Sequence, residues 1–205
     1  DAGTSREFAP AAVRAGALVV DNSSAFRMHP DVPLVVPEVN TDAIGRPGGE
    51  FGGRIIANPN CTTIILLTAI EPLRRAFGVE AIDVATYQAV SGAGLAAIDE
   101  LREQTEYTLH PDGGRLGFPH RRHAGDPTPR VFAEPCAFNV FSHDSAVDPD
   151  TGVNGEERKV IDEAGKIWDQ PGPPVPPPCV RVPGIRAHPE AVTRTPRTPA
   201  TEADV

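Results

Sequence analysis

Arg54-Ile55-Ile56-Ala57-Asn58-Pro59-Asn60-Cys61-Thr62-Thr63-Ile64-Ile65-Leu66-Leu67 holds two apolar runs separated by a polar break with a proline in it. The first run is short and β-branched and reads as a buried strand. The second continues to Phe77 and Gly78, the length and ending of a helix, with Pro72 expected to kink or interrupt it near its end. A strand that turns directly into a helix leaves the residue at the turn beside unpaired backbone N–H groups and the positive end of the helix dipole. Here that residue is Cys61. Such surroundings favour a thiolate nucleophile, and the preceding Asn60 amide could donate to an oxyanion formed on attack. A small buried thiol suits the position equally well, so these residues alone leave both readings open.

Upstream, Thr4 and Ser5 open a helix that Pro10 shortens and Gly16 ends, and Ala17 to Asp21 reads as a buried strand. Asn22 to Arg27 then falls at the carboxyl end of that strand, where doubly wound α/β sheets gather their ligands. Leu34-Val35-Val36 is read as another short strand. Downstream, Val79 to Ala89 alternates like a strand, Ser91 to Gly94 forms a tight loop, and Leu95 to Tyr107 is expected to be a helix with Asp99 and Glu100 on its wet side. His110 to Pro135 is polar and rich in Gly and Pro. Ala137 to Phe141 is read as a strand, Asn154 to Trp168 as an amphipathic helix, Cys179 to Pro183 as the start of a strand, and Ala191 to Thr193 as the start of one more.

The composition bounds the function. A chain of 205 residues with 40% hydrophobic content can bury a sizeable core. Its formal charge of −9, with both signs interspersed, disfavours nucleic acid or an anionic membrane as the main partner. Anionic ligands must be held by a few placed Arg or Lys side chains. Three widely spaced cysteines, Cys61, Cys136 and Cys179, suggest neither a disulfide framework nor a zinc cage, and point to a reducing, cytoplasmic setting. His120 and His123 lack nearby acidic or thiol ligands at a known spacing, so no metal is expected. No apolar run reaches the roughly 18 residues of a membrane span. The chain opens on Asp1 within what reads as the middle of a fold.

Asn58-Pro59-Asn60-Cys61-Thr62-Thr63 resembles the nucleophile motif of aspartate-semialdehyde dehydrogenases, and Thr86-Tyr87-Gln88-Ala89-Val90-Ser91-Gly92-Ala93-Gly94 is similar to that family's next signature. Cys179-Val180-Arg181-Val182-Pro183-Gly184-Ile185-Arg186-Ala187-His188 resembles its substrate-arginine and catalytic-histidine segment. The resemblance implies an α/β protein: the back half of a Rossmann-type NADP-binding domain over residues 1–60, then a glyceraldehyde-3-phosphate-dehydrogenase-like α+β catalytic and dimerisation domain over 61–205. It implies Cys61 as nucleophile and His188 as acid/base, an isolated His188 otherwise reading as a surface residue. Gln88, Arg181 and Glu156 would hold the substrate. Arg27, Lys159 and Asn60 would hold phosphate, and Ala2, Gly3, Ser91 and Gly92 would line the cofactor NADP. A homodimer and a soluble, cytoplasmic small-molecule enzyme of lysine, threonine and methionine synthesis follow from the same likeness.

The family's phosphate-gripping glycine loop is expected upstream of Asp1, and its closing segment beyond Val205. Gly184 is expected to loosen a strand leading to His188, and Pro189 and the Pro171–Pro178 stretch to restrain the backbone around it. The related N-acyl-glutamyl-phosphate reductases run the same thioester chemistry, but resemble Asn-Pro-Gly-Cys rather than the Asn-Pro-Asn-Cys seen here. A non-catalytic fragment or paralogue that keeps only packing and dimerisation surfaces is the alternative from another class.

Overall fold

The computed structural model describes residues 1–45, 49–110, 125–170 and 177–204. In chain order the elements are α1 (Ala2–Arg14), β1 (Val19–Asp21), α2 (Pro37–Asn40), β2 (Ile55–Ala57), α3 (Cys61–Phe77), β3 (Ala81–Gln88), α4 (Leu95–Leu109), β4 (Phe141–Ser142), α5 (Gly155–Trp168), β5 (Cys179–Arg181) and β6 (Glu190–Thr195). Two compact units emerge. The first contains residues 1–83, 157–176 and 192–205, the second residues 84–156 and 177–191. The His120/His123 pair and most of the Pro171–Pro178 stretch lie outside the described residues.

In the first unit β1 and β2 pair in parallel, Val19 opposite Ile55 and Asp21 opposite Ala57. Parallel pairing needs a crossover, and the chain from Asn22 to Arg54 supplies it. Leu34-Val35-Val36 does not become a strand of its own. Leu34 makes only an isolated parallel bridge to Ala57, because the chain turns at Pro37 into α2 before a ladder can extend. The helix at the start of the chain is longer than its sequence suggests. Asp1, not Thr4 or Ser5, is its cap, accepting the Thr4 N–H at 2.9 Å, and Pro10 is carried inside α1. Ser5 instead donates to Asp21 at 2.7 Å, tying α1 to the end of β1.

Helix α3 buries Thr62, Thr63, Leu66, Leu67, Ile70 and Glu71, pairs of neighbours repeating every four residues, as a helix laid along a core requires. Pro72 does not break it; the helix runs unbroken to Phe77 and closes at Gly78, whose φ of 63° suits a residue without a Cβ. Buried Glu71 binds Arg74 and Arg75 on its own helix and the Trp168 indole N–H at 2.9 Å, joining the ends of α3 and α5. Lys166 of α5 donates to the carbonyls of Arg27, His29 and Val32 at 2.7, 2.7 and 2.8 Å. Burial draws its pKa down to about 8, while those three acceptors stabilise the ammonium.

The second unit is organised on β4, β5 and β3 from Val84 onward, neighbours in a sheet of order β4-β5-β3-β6. Strand β3 pairs in parallel with β5, Thr86 opposite Cys179 and Gln88 opposite Arg181, and β4 runs antiparallel to β5. Alternation along β3 sends Val84, Thr86 and Gln88 to one buried face. Helix α4 packs Ala97 and Leu101 with Val90, Phe132, Cys136 and Ala137. Its Glu100 is not on the wet side: it is 1% exposed and accepts the N–H groups of Arg130 and Val131 at 2.6 and 2.8 Å. Ala137 to Phe141 is mostly turn, with only Phe141 and Ser142 in a strand, because Phe138 takes a left-handed φ of 58° that an extended run cannot contain.

Candidate active site

The residues singled out by sequence fall into two groups, one in each unit. In the first, β2 ends at Ala57 and α3 begins at Cys61, so the nucleophile candidate occupies the first helical position. Asn60 caps the helix, its side-chain oxygen accepting the Thr62 N–H at 2.9 Å and standing 4.0 Å from the Cys61 sulfur. The oxygen end of the Asn60 amide is therefore spent on the cap, and only the NH2 end is suited to donate. Of the three free cysteines Cys61 is exposed, while Cys136 and Cys179 are buried. Burial lifts the Cys136 thiol to about 11, so it stays protonated and unreactive at neutral pH.

Glu163 holds this turn in place, a residue that sequence reading missed. Its carboxylate accepts the backbone N–H of Asn60 at 2.6 Å and the Arg27 guanidinium at 3.2 Å. Burial raises its pKa, and the Asn60 N–H and Arg27 act against that rise. The available signal was an acid set among Val160, Ala164 and Ile167, the buried stripe of α5. Arg27 also donates to the carbonyls of Asn58 and Asn22, at 2.9 and 3.2 Å. A guanidinium has five N–H donors, so two remain for an anion. Lys159 stands one helical turn before Glu163, on the same side of α5. Ala2 and Gly3 lie in the first turn of α1.

In the second unit, Gln88 ends β3 and donates to Glu156 at 3.3 Å, both side chains almost wholly buried. Arg181 ends the neighbouring strand β5 and is 3% exposed. Its guanidinium binds the Ala89 carbonyl at 3.0 Å, Asp144 at 3.1 Å and His143 at 2.9 Å, and lies 5.1 Å above the Phe132 ring. His188 is not on a strand. Strand β5 ends at Arg181, and the segment to His188 is pinned to the turn after β3 through Val90 N–H to Gly184 O at 3.0 Å and Ala89 N–H to Ala187 O at 3.2 Å. Gly184 thus anchors the segment rather than loosening a strand, and Pro189 accepts the Tyr87 N–H at 2.9 Å. Ala187, with φ of 76°, turns the backbone just before the imidazole. A Cβ at Gly92 would stand 3.1 Å from the His188 Nε2 and 3.6 Å from the Arg181 guanidinium, so the imidazole lies against Gly92 too closely to leave room for a side chain there. Ser91 lies beside it, in the same 3-10 turn (Val90–Ala93).

A cleft of about 490 Å³ in the first unit, lined by Pro30, Asn40, Asp42, Arg74, Lys166 and Trp168, contains none of these residues. Among the described residues no group of His, Cys, Asp and Glu could hold a metal ion, and no helix is long and apolar enough to cross a membrane.

The chain is a mixed α/β protein, with an exposed cysteine at a strand-to-helix turn of the first unit and an arginine, a histidine and a buried amide close to one another in the second. The family described as semialdehyde dehydrogenase, dimerisation domain, matches residues 70–205, and that described as semialdehyde dehydrogenase, NAD binding domain, matches residues 1–46. The chain belongs to the semialdehyde dehydrogenase family. It is 47% identical over 188 residues to the aspartate-semialdehyde dehydrogenase of Streptomyces akiyoshiensis, covering 90% of this chain and 53% of that protein. Against aspartate-semialdehyde dehydrogenase 2 of Vibrio cholerae the identity is 44% over 198 residues, covering 95% of this chain and 53% of that one. The crystal structure of the Vibrio cholerae aspartate semialdehyde dehydrogenase II complexed with ASA superposes with a TM-score of 0.83 at 42% identity, covering 97% of this chain and 54% of that one. The chain spans about half the length of these relatives.

Proposed function

We propose that this chain carries the catalytic part of an NADP-dependent aspartate-β-semialdehyde dehydrogenase, which converts L-aspartyl 4-phosphate to L-aspartate 4-semialdehyde and inorganic phosphate. The observation that carries this reading is the exposed Cys61 at the first position of a capped, seventeen-residue helix. Helix N–H groups and dipole stabilise its thiolate. In the oxidative direction Cys61 attacks the aldehyde carbon, and His188 takes the hydroxyl proton as the tetrahedral adduct loses hydride and becomes a thioester. Phosphate then attacks the thioester, forming the acyl phosphate and releasing Cys61; biosynthesis runs these steps backward. Arg181 pairs with the α-carboxylate through its planar fork. Glu156 holds the amino group, and Gln88 orients the reacting carbonyl.

NADP, when bound, supplies the hydride acceptor or donor. Ser91 and Gly92 would hold its nicotinamide end, and Ala2 and Gly3 are cofactor-lining residues by the family likeness. Arg27 and Lys159 neutralise phosphate, and the Asn60 NH2 donates to it. The family description of residues 70–205 names dimerisation, and exposed Leu95, Phe138, Val140 and Val147 give the second unit apolar surface for a homodimer.

The test is NADPH formation from aspartate semialdehyde and phosphate by the parent protein and its Cys61→Ala form. Turnover should fall by at least about a thousandfold when the nucleophile is lost. Residual activity close to that of the unaltered protein, or a preference for N-acetylglutamyl phosphate in the reverse direction, would overturn the assignment.

A further inference from the structure

An arginine can only donate hydrogen bonds. The 2.9 Å contact between Arg181 Nη2 and His143 Nε2 therefore requires a lone pair on Nε2, and His143 must be neutral with its proton on Nδ1. That proton faces the Ser145 hydroxyl, 3.1 Å away. The Ser145 N–H, also a donor only, approaches Nδ1 at 3.2 Å; a neutral imidazole can accept from just one of the two, and the shorter bond from a cation is the stronger, which assigns the lone pair to Nε2 and the proton to Nδ1. Ser145 Oγ in turn donates to Asn154 Oδ1 at 3.2 Å. Both oxygens receive the backbone N–H of Glu156, at 3.0 and 2.9 Å. A continuous relay of fixed direction thus runs from Arg181 through His143, Ser145 and Asn154 to the first turn of α5, where Glu156 is bound by Gln88.

We infer that His143 is a positioning residue for substrate recognition, its neutral Nδ1–H form locking Arg181 and Glu156 into one frame so that the groups for the α-carboxylate and α-amine keep a set separation. This rests on the proposed function for the roles of Arg181 and Glu156. Protonation of His143 destroys the lone pair and sets a second cation 2.9 Å from the guanidinium. Several charged or titratable groups face this imidazole and its partner. Asp144, 3.8 Å from Nδ1, favours the imidazolium; Arg181 opposes it; His188, like Arg181, comes close to Gly92; and Cys136, near Arg181, is a neutral thiol. Asp144 and Arg181 thus pull His143 in opposite directions, and substrate affinity should fall when His143 gains a proton.

The two amide replacements of histidine separate the two ends of the relay. His143→Gln keeps an acceptor at the ε position for Arg181 and cannot titrate. His143→Asn keeps a polar group only at the δ position, toward Ser145. In the parent protein, His143→Asn should raise KM for aspartate semialdehyde about tenfold while kcat stays within about twofold, one hydrogen bond's worth of binding. His143→Gln should keep the KM of the unaltered protein near pH 8 and lose its rise toward pH 6. Nitrogen-15 spectra of labelled histidine should show a protonated Nδ1 and a bare Nε2 at about pH 8. A proton on Nε2 at that pH, an unchanged KM in His143→Asn, or a KM rise that survives in His143→Gln would overturn the proposal. The spectra need no turnover, so a parent protein inert toward aspartate semialdehyde would sink the functional reading while the tautomer still decides the relay.

Discussion

Glu190 is a carboxylic acid with both oxygens buried and, among the described residues, without a hydrogen-bond partner. Burial raises its pKa to about 7, and the charge of nearby His188 acts in the opposite direction. The folded state therefore holds a proton that the unfolded chain, with an ordinary carboxyl near 4.5, has already released. Stability from this group is fully present below about pH 4.5 and is lost as pH rises through about 7. Glu190→Gln should leave unfolding unchanged near pH 4 and stabilise the protein near pH 8. After allowing for solvent around a partly exposed residue, the gain is about 1 kcal/mol, measurable by urea titration at the two pH values. The position of Cys61 at a strand-to-helix turn was legible in the sequence because it is set by its immediate neighbours. The links made by Glu163 and His143 were not: each acts on a group far off in the chain, Asn60 and Arg181, and in the sequence each looks like an ordinary polar residue.

At the scale of elements, α3 is the best case of a helix legible from pattern alone, with its start, length and terminal glycine all visible in the residues. Its proline misled because proline costs a helix only where the lost bond and ring clash go uncompensated, and here packing of Leu66, Leu67 and Ile70 on one side and Glu71 on the next turn hold the backbone through that point. Leu34 to Val36 misled in the opposite sense, since three β-branched or aliphatic residues favour a strand only if a partner edge continues beside them. Glu71 is where the ends of α3 and α5 are joined. Burial pushes its pKa up, but bonds from Arg74, Arg75 and Trp168 outweigh burial and leave it below its ordinary value. Its contribution is therefore present above about pH 4.5 and fades on acidification. Glu71→Ala leaves two arginines and an indole N–H without their acceptor and should cost about 3 kcal/mol near pH 7, read as a lower midpoint in chemical unfolding.

For the whole molecule, the sequence likeness anticipated an α/β chain with a nucleotide-domain portion followed by a catalytic and dimerisation portion, and the family matches over residues 1–46 and 70–205 follow the same order. Contact within the fold groups residues differently from linear order: the first unit takes in α5 residues from Glu157 onward and the tail from Val192. Such returns of the chain leave no local mark in composition or periodicity. The second unit exposes Phe138 and Val140, 64% and 58% accessible and separated in sequence by Asn139 alone. If this surface joins two copies, Phe138→Asn with Val140→Asp should convert a dimer to a monomer in sedimentation at micromolar protein, since buried charge at an interface core is strongly unfavourable. Asparagine also accepts the left-handed backbone at position 138 more readily than phenylalanine.

The stretch between Arg181 and His188 is held by its main chain, with Gly184, Ile185 and Ala187 offering carbonyls to Val90, Ser91 and Ala89. Its side chains at Ile185 and Arg186 face outward. Across a mutational scan this segment should therefore accept many amino acids yet reject insertions and deletions, because one residue more or fewer would unhook every rung and carry the imidazole out of alignment. Natural variants are expected to differ there in spelling but not in length.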